Sequence, residues 1–489
     1  MSEHQSDIKQ LAPAAVWQYF HDICQIPHPS GEEEALRNYV LNFAAEHKLE
    51  AEVDAVGNVV VRKPATPGME NRFGVVLQGH LDMVPQKNED TDHNFSTDPI
   101  QPWIDGEWVK ARGTTLGSDN GMGVAASLAV LASTDLEHGP VEALFTIDEE
   151  RSMVGAEALQ PGWLKGDILL NLDTEEEGEL YVGCAGGVDV DASASYEQEA
   201  TPADSQWFRI AVKGLKGGHS GCDIHLQRGN ANKILVSLLK ELSKLGVRVG
   251  SIRGGSLSNA IPREAFATVA VPADQIEAVN AAMDHQQAIA RNLLAATDAG
   301  VTITAENCEA AGSVMAARDQ QIWLDAFHAV PNGVDRMSES VEGVVETSNN
   351  FAIMNVAEGK VVVNCFARSL VDDSTSEIGE RIAGLLRLAG ADVALKGQFP
   401  GWQPNMDSPI LAAMQETYMD VFGKQPEIKV IHAGLECGIL GSAYPNWDMI
   451  SIGPTICFPH SPDEMVHIAS VEKFWTLLTA SLARVPVKA

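Results

Sequence analysis

The chain has 489 residues, 45% of them hydrophobic and 21% charged, which is typical of a globular protein. A single hydrophobic core does not grow to this length, so we expect two or more domains. Acidic residues outnumber basic ones by 67 to 34. The resulting net charge of −33 repels nucleic acid and anionic membranes, which disfavours both as partners.

Targeting and redox features indicate a cytoplasmic protein. Met1–Gln10 is polar and lacks the apolar core of a signal peptide. The longest apolar-rich stretch, Gly121–Ala132, is shorter than the ~20 residues that a membrane-spanning helix needs. The seven cysteines are scattered along the chain and odd in number. This pattern argues against a disulfide framework and against cysteine-ligated zinc.

The first 186 residues alternate amphipathic helices with short apolar strands, which predicts an α/β fold with a mostly parallel sheet. Ser30, which precedes a run of glutamates, is expected to open the second helix. The predicted elements here are helices at 14–25, 32–49 and 121–133, and strands beginning at Val59 and spanning 73–79, 141–147 and 168–172.

After residue 186 the order of predicted elements changes to β-α-β-β-α-β, and this order occurs twice. The first round has strands at 206–214, 247–253, 265–272 and 301–306 and helices at 230–245 and 274–296. The second has helices at 318–328 and 375–389 and strands at 341–356, 360–368 and 391–398, without a clear first strand.

From about residue 399 the alternation of the first part returns, with a helix at 407–422 and strands near 427–431 and 448–452. We therefore predict one domain formed by residues 1–186 and 399–489. Residues 187–398 are predicted to form an inserted α+β domain built from two ferredoxin-like halves.

Polar residues follow several predicted strands at their carboxyl ends, where α/β sheets form their sites. They are His80, Glu150 and Asp173, while Asp119 lies in a glycine-rich turn before the predicted helix at 121–133 and a late His460 offers a further imidazole. Taken alone, each is more often a hydrogen-bonded core histidine or part of a solvated acidic turn. Carboxylates that converge beside buried strands repel one another, however, and a bound metal ion relieves that repulsion. The five residues together predict a two-metal site able to hydrolyse amides.

Two further carboxylates are expected to act without binding metal. Adjacent residues that leave a strand point in opposite directions, so one of Glu149 and Glu150 can bind metal while the other stays free as the proton carrier. Asp82 stands two residues after His80 and is expected to accept the second N–H of that imidazole and orient it. Glu175–Glu177 and Asp372–Asp373 lack such a context and are assigned to solvent.

These residues lie in motifs that resemble the five-part site of the M20 metallopeptidases, and the resemblance extends over the whole chain. The motifs are His80-Leu81-Asp82-Met83-Val84, Gly117-Ser118-Asp119-Asn120-Gly121, Asp148-Glu149-Glu150, Asp173, and Phe458-Pro459-His460-Ser461-Pro462-Asp463-Glu464. Thr114–Gly121 and His432–Gly438 resemble a bacterial branch of that family that hydrolyses dipeptides. The resemblance implies a zinc-peptidase-like catalytic domain, an inserted lid domain, and a cis peptide bond after Asp119.

The resemblance also implies the metals and their ligands. Asp119 would bridge two zinc ions, for which cobalt or manganese can substitute, roughly 3.5–4 Å apart. His80 and Asp173 would complete one metal site, and Glu150 and His460 the other.

The roles of the remaining residues follow from the same motifs. Glu149 corresponds to the general base and acid of the family, and Asp82 to the residue that orients the first histidine. In the lid, His219 corresponds to a residue that stabilises the oxyanion, and Asn259 and Arg368 to residues that hold the substrate. The arginine would grip the terminal carboxylate of the substrate by bidentate pairing. Without the resemblance, Arg368 would be assigned to a surface ion pair.

In many relatives the lid histidine comes from a partner subunit. The duplicated lid of this chain, about twice as large, could supply it within one chain, so a homodimer is left open. The implied activity is hydrolysis of unblocked dipeptides with broad specificity, Xaa-His dipeptides such as carnosine among them. The implied partner is this small peptide substrate.

Two other readings of the same residues stay open. One is another amidohydrolase with this centre, such as a tripeptide aminopeptidase or an N-acyl amino-acid deacylase. The other is a metal-binding protein that has lost activity. The intact Glu149 argues against the second reading, because a pure binder gains little from a carboxylate beside a ligand.

Overall fold

The structure, a computed structural model, describes residues 7–488 and divides into two compact units. The first unit runs to Gly183 and also takes in Pro404–Val430 and the chain from Leu435 onward. The second unit comprises Cys184–Gln403 and Ile431–Gly434. None of the helices formed by residues 7–488 combines the length and apolar composition that crossing a membrane requires. All seven cysteines lie in this range, and none of them forms a disulfide.

The strands are β1 (Glu50–Val53), β2 (Val59–Lys63), β3 (Val75–His80), β4 (Pro102–Asp105), β5 (Trp108–Ala111), β6 (Val141–Thr146), β7 (Ile168–Asn171), β8 (Glu179–Cys184), β9 (Gly186–Ser195), β10 (Gln198–Ala200), β11 (Ser205–Lys213), β12 (Arg248–Gly254), β13 (Ala265–Pro272), β14 (Thr302–Asn307), β15 (Ser313–Met315), β16 (Gly333–Met337), β17 (Val345–Ala357), β18 (Lys360–Ser369), β19 (Asp392–Phe399), β20 (Glu427–Ile431), β21 (Asp448–Ser451), β22 (Ile456–Cys457) and β23 (Met465–His467).

The α-helices are α1 (Ala14–Cys24), α2 (Glu34–Glu46), α3 (Ser118–Ala132), α4 (Val154–Glu157), α5 (Ala231–Ser243), α6 (Ile276–Leu293), α7 (Ala317–Ala329), α8 (Asp372–Leu388), α9 (Pro409–Phe422), α10 (Glu436–Ala443) and α11 (Ile468–Ala483). Short 3-10 helices occupy Ile8–Gln10, Ile224–Leu226 and Ala273–Gln275.

The fold is of the predicted α/β class, and the main sheet of the first unit is mixed. Its strand order is β1-β2-β6-β3-β7-β21-β8-β20. The central strands β6, β3, β7 and β21 run parallel, whereas β1 and β2 at one side and β8 at the other pair antiparallel. Every residue of β3, β6 and β7 is buried, which explains why these strands read as continuous apolar runs. The parallel arrangement brings the carboxyl ends of β6, β3 and β7 to one edge.

Helix α3 packs against α1 and β3 and is rich in small residues. A Cβ atom on Gly123 would lie 2.5 Å from the carbonyl oxygen of Leu172, so only glycine allows the helix to approach the end of β7 this closely. The small residues therefore place the first turn of α3 at the edge where the parallel strands end.

The second unit contains a sheet with the order β14-β11-β13-β12-β17-β18-β9-β19. In the first ferredoxin-like half, β11 lies between β13 and β14. In the second half the equivalent position, between β18 and β19, is filled by β9. The first strand that the second half lacks in the sequence is therefore β9, and the first half is inserted between β9 and α7. A reading in chain order misses this strand because its partners lie far along the chain.

One local prediction was wrong. Ser30 does not cap the second helix, because α2 begins at Glu34 and its N-cap residue is Glu33. The hydroxyl group of Ser30 instead donates a hydrogen bond of 2.7 Å to the Oδ2 atom of Asp82. A tertiary partner for this hydroxyl thus replaces the local backbone partner that the sequence suggested.

Candidate metal centre

Five side chains of the first unit meet at the carboxyl edge of its parallel strands. His80 is the last residue of β3, Glu150 follows β6, and Asp173 follows β7. Asp119 lies in the first turn of α3, and His460 lies in the loop between β22 and β23. Because the strands lie side by side in the order β6-β3-β7, Glu150, His80 and Asp173 are neighbours at this edge.

Asp119 stands at the middle of this group, with one histidine on each carboxylate oxygen. Its Oδ1 atom lies 3.1 Å from Nε2 of His80, and its Oδ2 atom lies 3.1 Å from Nε2 of His460. On the first side, Nε2 of His80 is also 3.5 Å from Oδ1 of Asp173. On the second side, Nε2 of His460 is 3.0 Å from Oε1 of Glu150. The side chains thus form two sets, each with one imidazole and one carboxylate, which share Asp119. The peptide bond between Asp119 and Asn120 is cis, as the resemblance implies.

The donor atoms of the group fit a cation. His80, Asp119 and Glu150 each offer a ligand atom, and these atoms lie within 4.8 Å of one another. Oε1 of Glu150 and Oδ1 of Asp173 are buried, and the histidine nitrogens of the centre are the cationic groups that approach them, His460 at 3.0 Å and His80 at 3.5 Å. Buried carboxylate oxygens are costly unless a cation neutralises them. Imidazole and carboxylate together are typical ligands of zinc and related divalent metals.

Burial and mutual repulsion perturb these groups in the protein alone. Burial, with the charge of Asp119, raises the pKa of Glu150 and the pKa of Asp173, each to about 6. Hydrogen bonds to Asp119 and Glu150 raise the pKa of His460 to about 11. For Asp119, hydrogen bonds from His460 and His80 outweigh burial and hold its pKa well below the usual range. Such crowding of like charges is the electrostatic pattern of a cation site.

The Asp82 carboxylate ties the first histidine to the turn that follows β6. It accepts hydrogen bonds from the backbone N–H groups of Glu149 at 2.9 Å and Glu150 at 3.2 Å, besides the one from Ser30. Nδ1 of His80 lies 3.0 Å from the backbone carbonyl oxygen of Asp82 and 3.4 Å from its carboxylate. The carbonyl is thus the nearer acceptor for Nδ1–H, and the carboxylate, which the sequence pointed to, is the more distant one. An Nδ1–H donor leaves Nε2 to face Asp119.

Glu149 is half-buried and lies outside the two ligand sets. Burial, together with the charges of Asp173, Glu436 and Glu150, raises the pKa of its carboxyl group well above the usual value. Its backbone N–H is held by Asp82, whereas no hydrogen bond to its carboxylate occurs within residues 7–488. A carboxylate with a raised pKa is a stronger base than an ordinary glutamate, as a proton acceptor needs to be.

Two buried glutamates that the sequence analysis did not single out support the centre. Glu464 accepts hydrogen bonds from the backbone N–H groups of Leu116, Gly117 and Ser118, at 2.7, 3.0 and 2.8 Å. It therefore fixes the loop that leads into Asp119.

Glu436, at the start of α10, accepts hydrogen bonds from Gln78 at 2.6 Å and Thr146 at 2.9 Å beneath the centre. Both glutamates lie inside motifs quoted for the resemblance, but a single carboxylate in a motif does not reveal its partner.

The assignment of Glu175–Glu177 to solvent was wrong for two of the three residues. Glu176 is exposed, but Glu177 binds Lys473 and the hydroxyl group of Tyr418. Glu175 is half-buried, and burial and the charges of Asp119 and Asp173 raise its pKa to about 8. The three glutamates therefore lie in three different environments, which a run of like residues in the sequence does not reveal.

Glu33, Asp82 and Asp148 form a second group of carboxylates. One oxygen atom of each lies within 4.8 Å of the others, and all three residues are buried. Each already has donors. Glu33 accepts from the N–H groups of Gly31 and Asp148, and Asp148 pairs with Arg151 at 2.9 Å. This group therefore holds the turn after β6 in place by hydrogen bonds.

The three predicted lid residues belong to the second unit. The backbone N–H of Ser220 donates to the carbonyl oxygen of Asn259 at 2.8 Å, which places Asn259 next to His219. Nδ1 of His219 accepts from the N–H groups of Gly221 and Cys222, at 3.2 and 3.0 Å. This leaves the ring proton on Nε2, where it is available to an acceptor.

Arg368 is only 4% exposed, and its guanidinium lies 4.3 Å from the ring centroid of Phe366. Its Nε–H is buried without an acceptor, and the guanidinium pairs with no carboxylate in the described chain. Burial lowers its pKa to about 10. A surface ion pair is therefore not its role, and a buried, unpaired guanidinium is suited to an anionic ligand.

Comparisons with known proteins agree with the resemblance. Residues 76–484 match the model of peptidase family M20/M25/M40. The cytosol non-specific dipeptidase of Escherichia coli K12 is 49% identical over 484 residues, which cover 99% of this chain and 100% of that protein. The crystal structure of aminoacylhistidine dipeptidase from Vibrio alginolyticus superposes with a TM-score of 0.95 at 51% identity and covers 100% of both chains. An aminopeptidase PepT structure from Bacillus cereus shares the fold, with a TM-score of 0.58 at 14% identity.

Proposed function

The chain belongs to peptidase family M20/M25/M40 and is a peptide hydrolase, and we propose that it is a metallodipeptidase with two zinc ions that cleaves unblocked dipeptides. The observation that carries the proposal is Asp119, whose two oxygens face two separate histidines at 3.1 Å. Full-length similarity to two proteins named as dipeptidases supports the substrate class.

We assign the metal ligands as the geometry groups them. His80 and Asp173 would hold one ion, Glu150 and His460 would hold the other, and Asp119 would be shared by the two. When bound, the ions would polarise the scissile carbonyl and make a water molecule acidic enough to attack it near neutral pH. Cobalt or manganese is expected to replace zinc, because neither imidazole nor carboxylate discriminates strongly among these ions.

Glu149 is assigned as the general base and acid. Its raised pKa lets it take a proton from the attacking water and return that proton to the departing amine. Asp82 holds the backbone of Glu149 and, through its own backbone carbonyl, orients His80. The turn that presents the base and the ring that faces the bridging carboxylate are therefore fixed by one residue.

Residues 187–398, which lie within the second unit, are proposed as the substrate-holding lid, and residues 1–186 and 399–489 as the catalytic domain. Arg368 is assigned to the terminal carboxylate of the substrate, since its guanidinium is buried and unpaired. The Nε2–H group of His219 is assigned to the oxyanion, and Asn259, its neighbour, to the peptide backbone. We further propose a cytoplasmic location, in keeping with the name of the Escherichia coli relative.

A hydrolysis screen tests the proposal against its alternatives. The metal-free protein would be reconstituted with Zn²⁺, Co²⁺ or Mn²⁺ and offered carnosine, alanyl-histidine, a tripeptide and an N-acetyl amino acid. We expect metal-dependent cleavage of the dipeptides alone. Preferred cleavage of the tripeptide or the N-acetyl amino acid would contradict the dipeptidase assignment, and metal binding without cleavage of any substrate would contradict the assignment as an active enzyme.

A further inference from the structure

The carboxylate of Glu175 faces the metal centre but is not part of it. Glu175 stands two residues after Asp173 in an irregular segment, and its carboxylate lies close enough to Asp119, Asp173 and Glu150 to interact with their charges. The hydroxyl group of the intervening Thr174 lies 2.7 Å from that of the buried Ser451. Glu175 therefore lies beside the centre to which Asp173 belongs.

A second contact places Glu175 beside the loop that presents His460. The backbone N–H of Ile456 donates to the carbonyl oxygen of Glu175 at 3.0 Å, and the N–H of Glu177 donates to Thr455 at 3.3 Å. The segment after β7 thus runs alongside the start of the His460 loop. Glu175 lies between the ligand on one side and this loop on the other.

The Glu175 carboxylate has no partner within residues 7–488. It forms no ion pair and accepts no hydrogen bond there, whereas the nearby Glu177 has both. Its side chain is half-buried, and the charges of Asp119 and Asp173 act on it. A carboxylate that is partly desolvated and unpaired is unfavourable unless a cation approaches it.

The charges of the proposed centre favour the ammonium group of the substrate as that cation. Its three ligand carboxylates and Glu149 would bring four negative charges, against four positive charges on two divalent ions. A loaded centre therefore has no excess negative charge with which to attract the free ammonium group of a dipeptide. An additional carboxylate beside the ligands supplies this negative charge.

We propose that Glu175 binds the N-terminal ammonium group of the substrate and selects unblocked peptides over acylated ones. This inference rests on the proposed function, because it names the substrate group that the same site recognises. It adds a specificity residue to the centre without changing the metal ligands or the base.

The test compares alanyl-histidine with propionyl-histidine, which keeps the same scissile bond and lacks the amine. In Glu175→Gln, we expect KM for alanyl-histidine to rise about 10-fold to 100-fold, less than for a fully buried pair because Glu175 is partly exposed. The kcat value should change little, and kcat/KM for propionyl-histidine should stay close to that of the unsubstituted enzyme. The ratio of kcat/KM for alanyl-histidine to kcat/KM for propionyl-histidine should therefore fall.

Matched variants and a binding measurement exclude a merely structural effect. Glu176→Gln removes the same charge from the exposed neighbour and should leave the preference intact, and Glu175→Asp should restore part of it. Metal content should be unchanged in all three. In a zinc-loaded Glu149→Gln background, calorimetry should show weaker binding of alanyl-histidine when Glu175→Gln is added.

Equal losses for both substrates, an unchanged preference, or a loss of metal in Glu175→Gln would overturn the inference. These results are distinct from failure of the proposed function, which would appear as a native enzyme that cleaves no dipeptide at all.

Discussion

Ser118 donates both its hydroxyl group, at 2.6 Å, and its backbone N–H, at 2.8 Å, to the Oε1 atom of Glu464. The two residues are 346 positions apart in the chain. Ser118 directly precedes Asp119, so this pair helps to set the direction in which the Asp119 carboxylate, the proposed bridge, points. The backbone N–H of Asp119 itself lies 3.4 Å from the same oxygen of Glu464.

Glu464→Gln tests this support. The amide nitrogen that replaces one carboxylate oxygen cannot accept from backbone N–H groups, so the loop before Asp119 should shift. We expect metal affinity to fall by about 10-fold to 100-fold, as for the loss of other groups that orient ligands. Competition with a chelator measures it. Asp463→Asn, at the exposed neighbouring position, is the control, and equal affinities in the two variants would contradict the role of Glu464.

Glu149→Ala should leave both metals bound and remove most turnover, because the base is not a ligand. The loss should reach the ~10²–10⁴-fold range of general acid–base catalysis and should fall on kcat rather than KM. Steady-state kinetics and metal analysis of the same preparation measure both quantities. Near-normal turnover at full metal occupancy would show that another group moves the proton.

Asp119→Ala should reduce the bound metal more than any other single change, since one carboxylate serves both ions. His80→Ala and His460→Ala should each weaken mainly one site. Metal stoichiometry of the three variants tests this order. Retention of two tightly bound ions in Asp119→Ala would exclude a bridging role.

Arg368→Ala should impair free-acid dipeptides by about 2–5 kcal/mol, as expected when one partner of a buried charge pair is removed. A dipeptide amide lacks the negative charge, so it should already be a poor substrate and should lose much less. The comparison of kcat/KM for the acid and the amide measures the effect. Arg263→Ala, an exposed arginine of the same unit, is the control. Equal losses for acid and amide would make Arg368 a structural residue.

Glu436→Gln should change how the stability of the metal-free protein depends on pH. Burial, with the charge of Asp173, raises the folded-state pKa of Glu436 to about 7, above the ~4.3 of an unfolded glutamate. The folded state therefore holds the proton more tightly, so this group lowers stability progressively as pH rises from about 4 to about 7. In Glu436→Gln this contribution to the fall in folding stability with rising pH should be absent. Thermal unfolding at pH 5 and pH 8 tests this, and identical pH dependence in both proteins would contradict it.

The sequence predicted the central strands of the first unit closely, because strands buried on both faces are continuously apolar, but it did not identify the short strands β1, β4, β5 and β8 or the last helix, α11. Val75–His80 and Val141–Thr146 are examples. Local chemistry was less reliable. Ser30 preceded a glutamate run, as a helix cap does, yet its hydroxyl group binds Asp82. Cap preferences describe short-range partners, and a tertiary acceptor displaced the local one.

The sequence by itself determined the α/β class, the order of the elements and the residue types able to hold divalent metals, because hydrophobic periodicity and ligand chemistry are local properties of the chain. Only the tertiary structure decided which oxygen of Asp119 faces which histidine, that β9 completes the second half of the sheet, and that Glu464 and Glu175 lie where they do. Each of these depends on contacts between residues far apart in the chain. Such contacts are set by sheet order and by the packing of buried side chains, which no local pattern encodes.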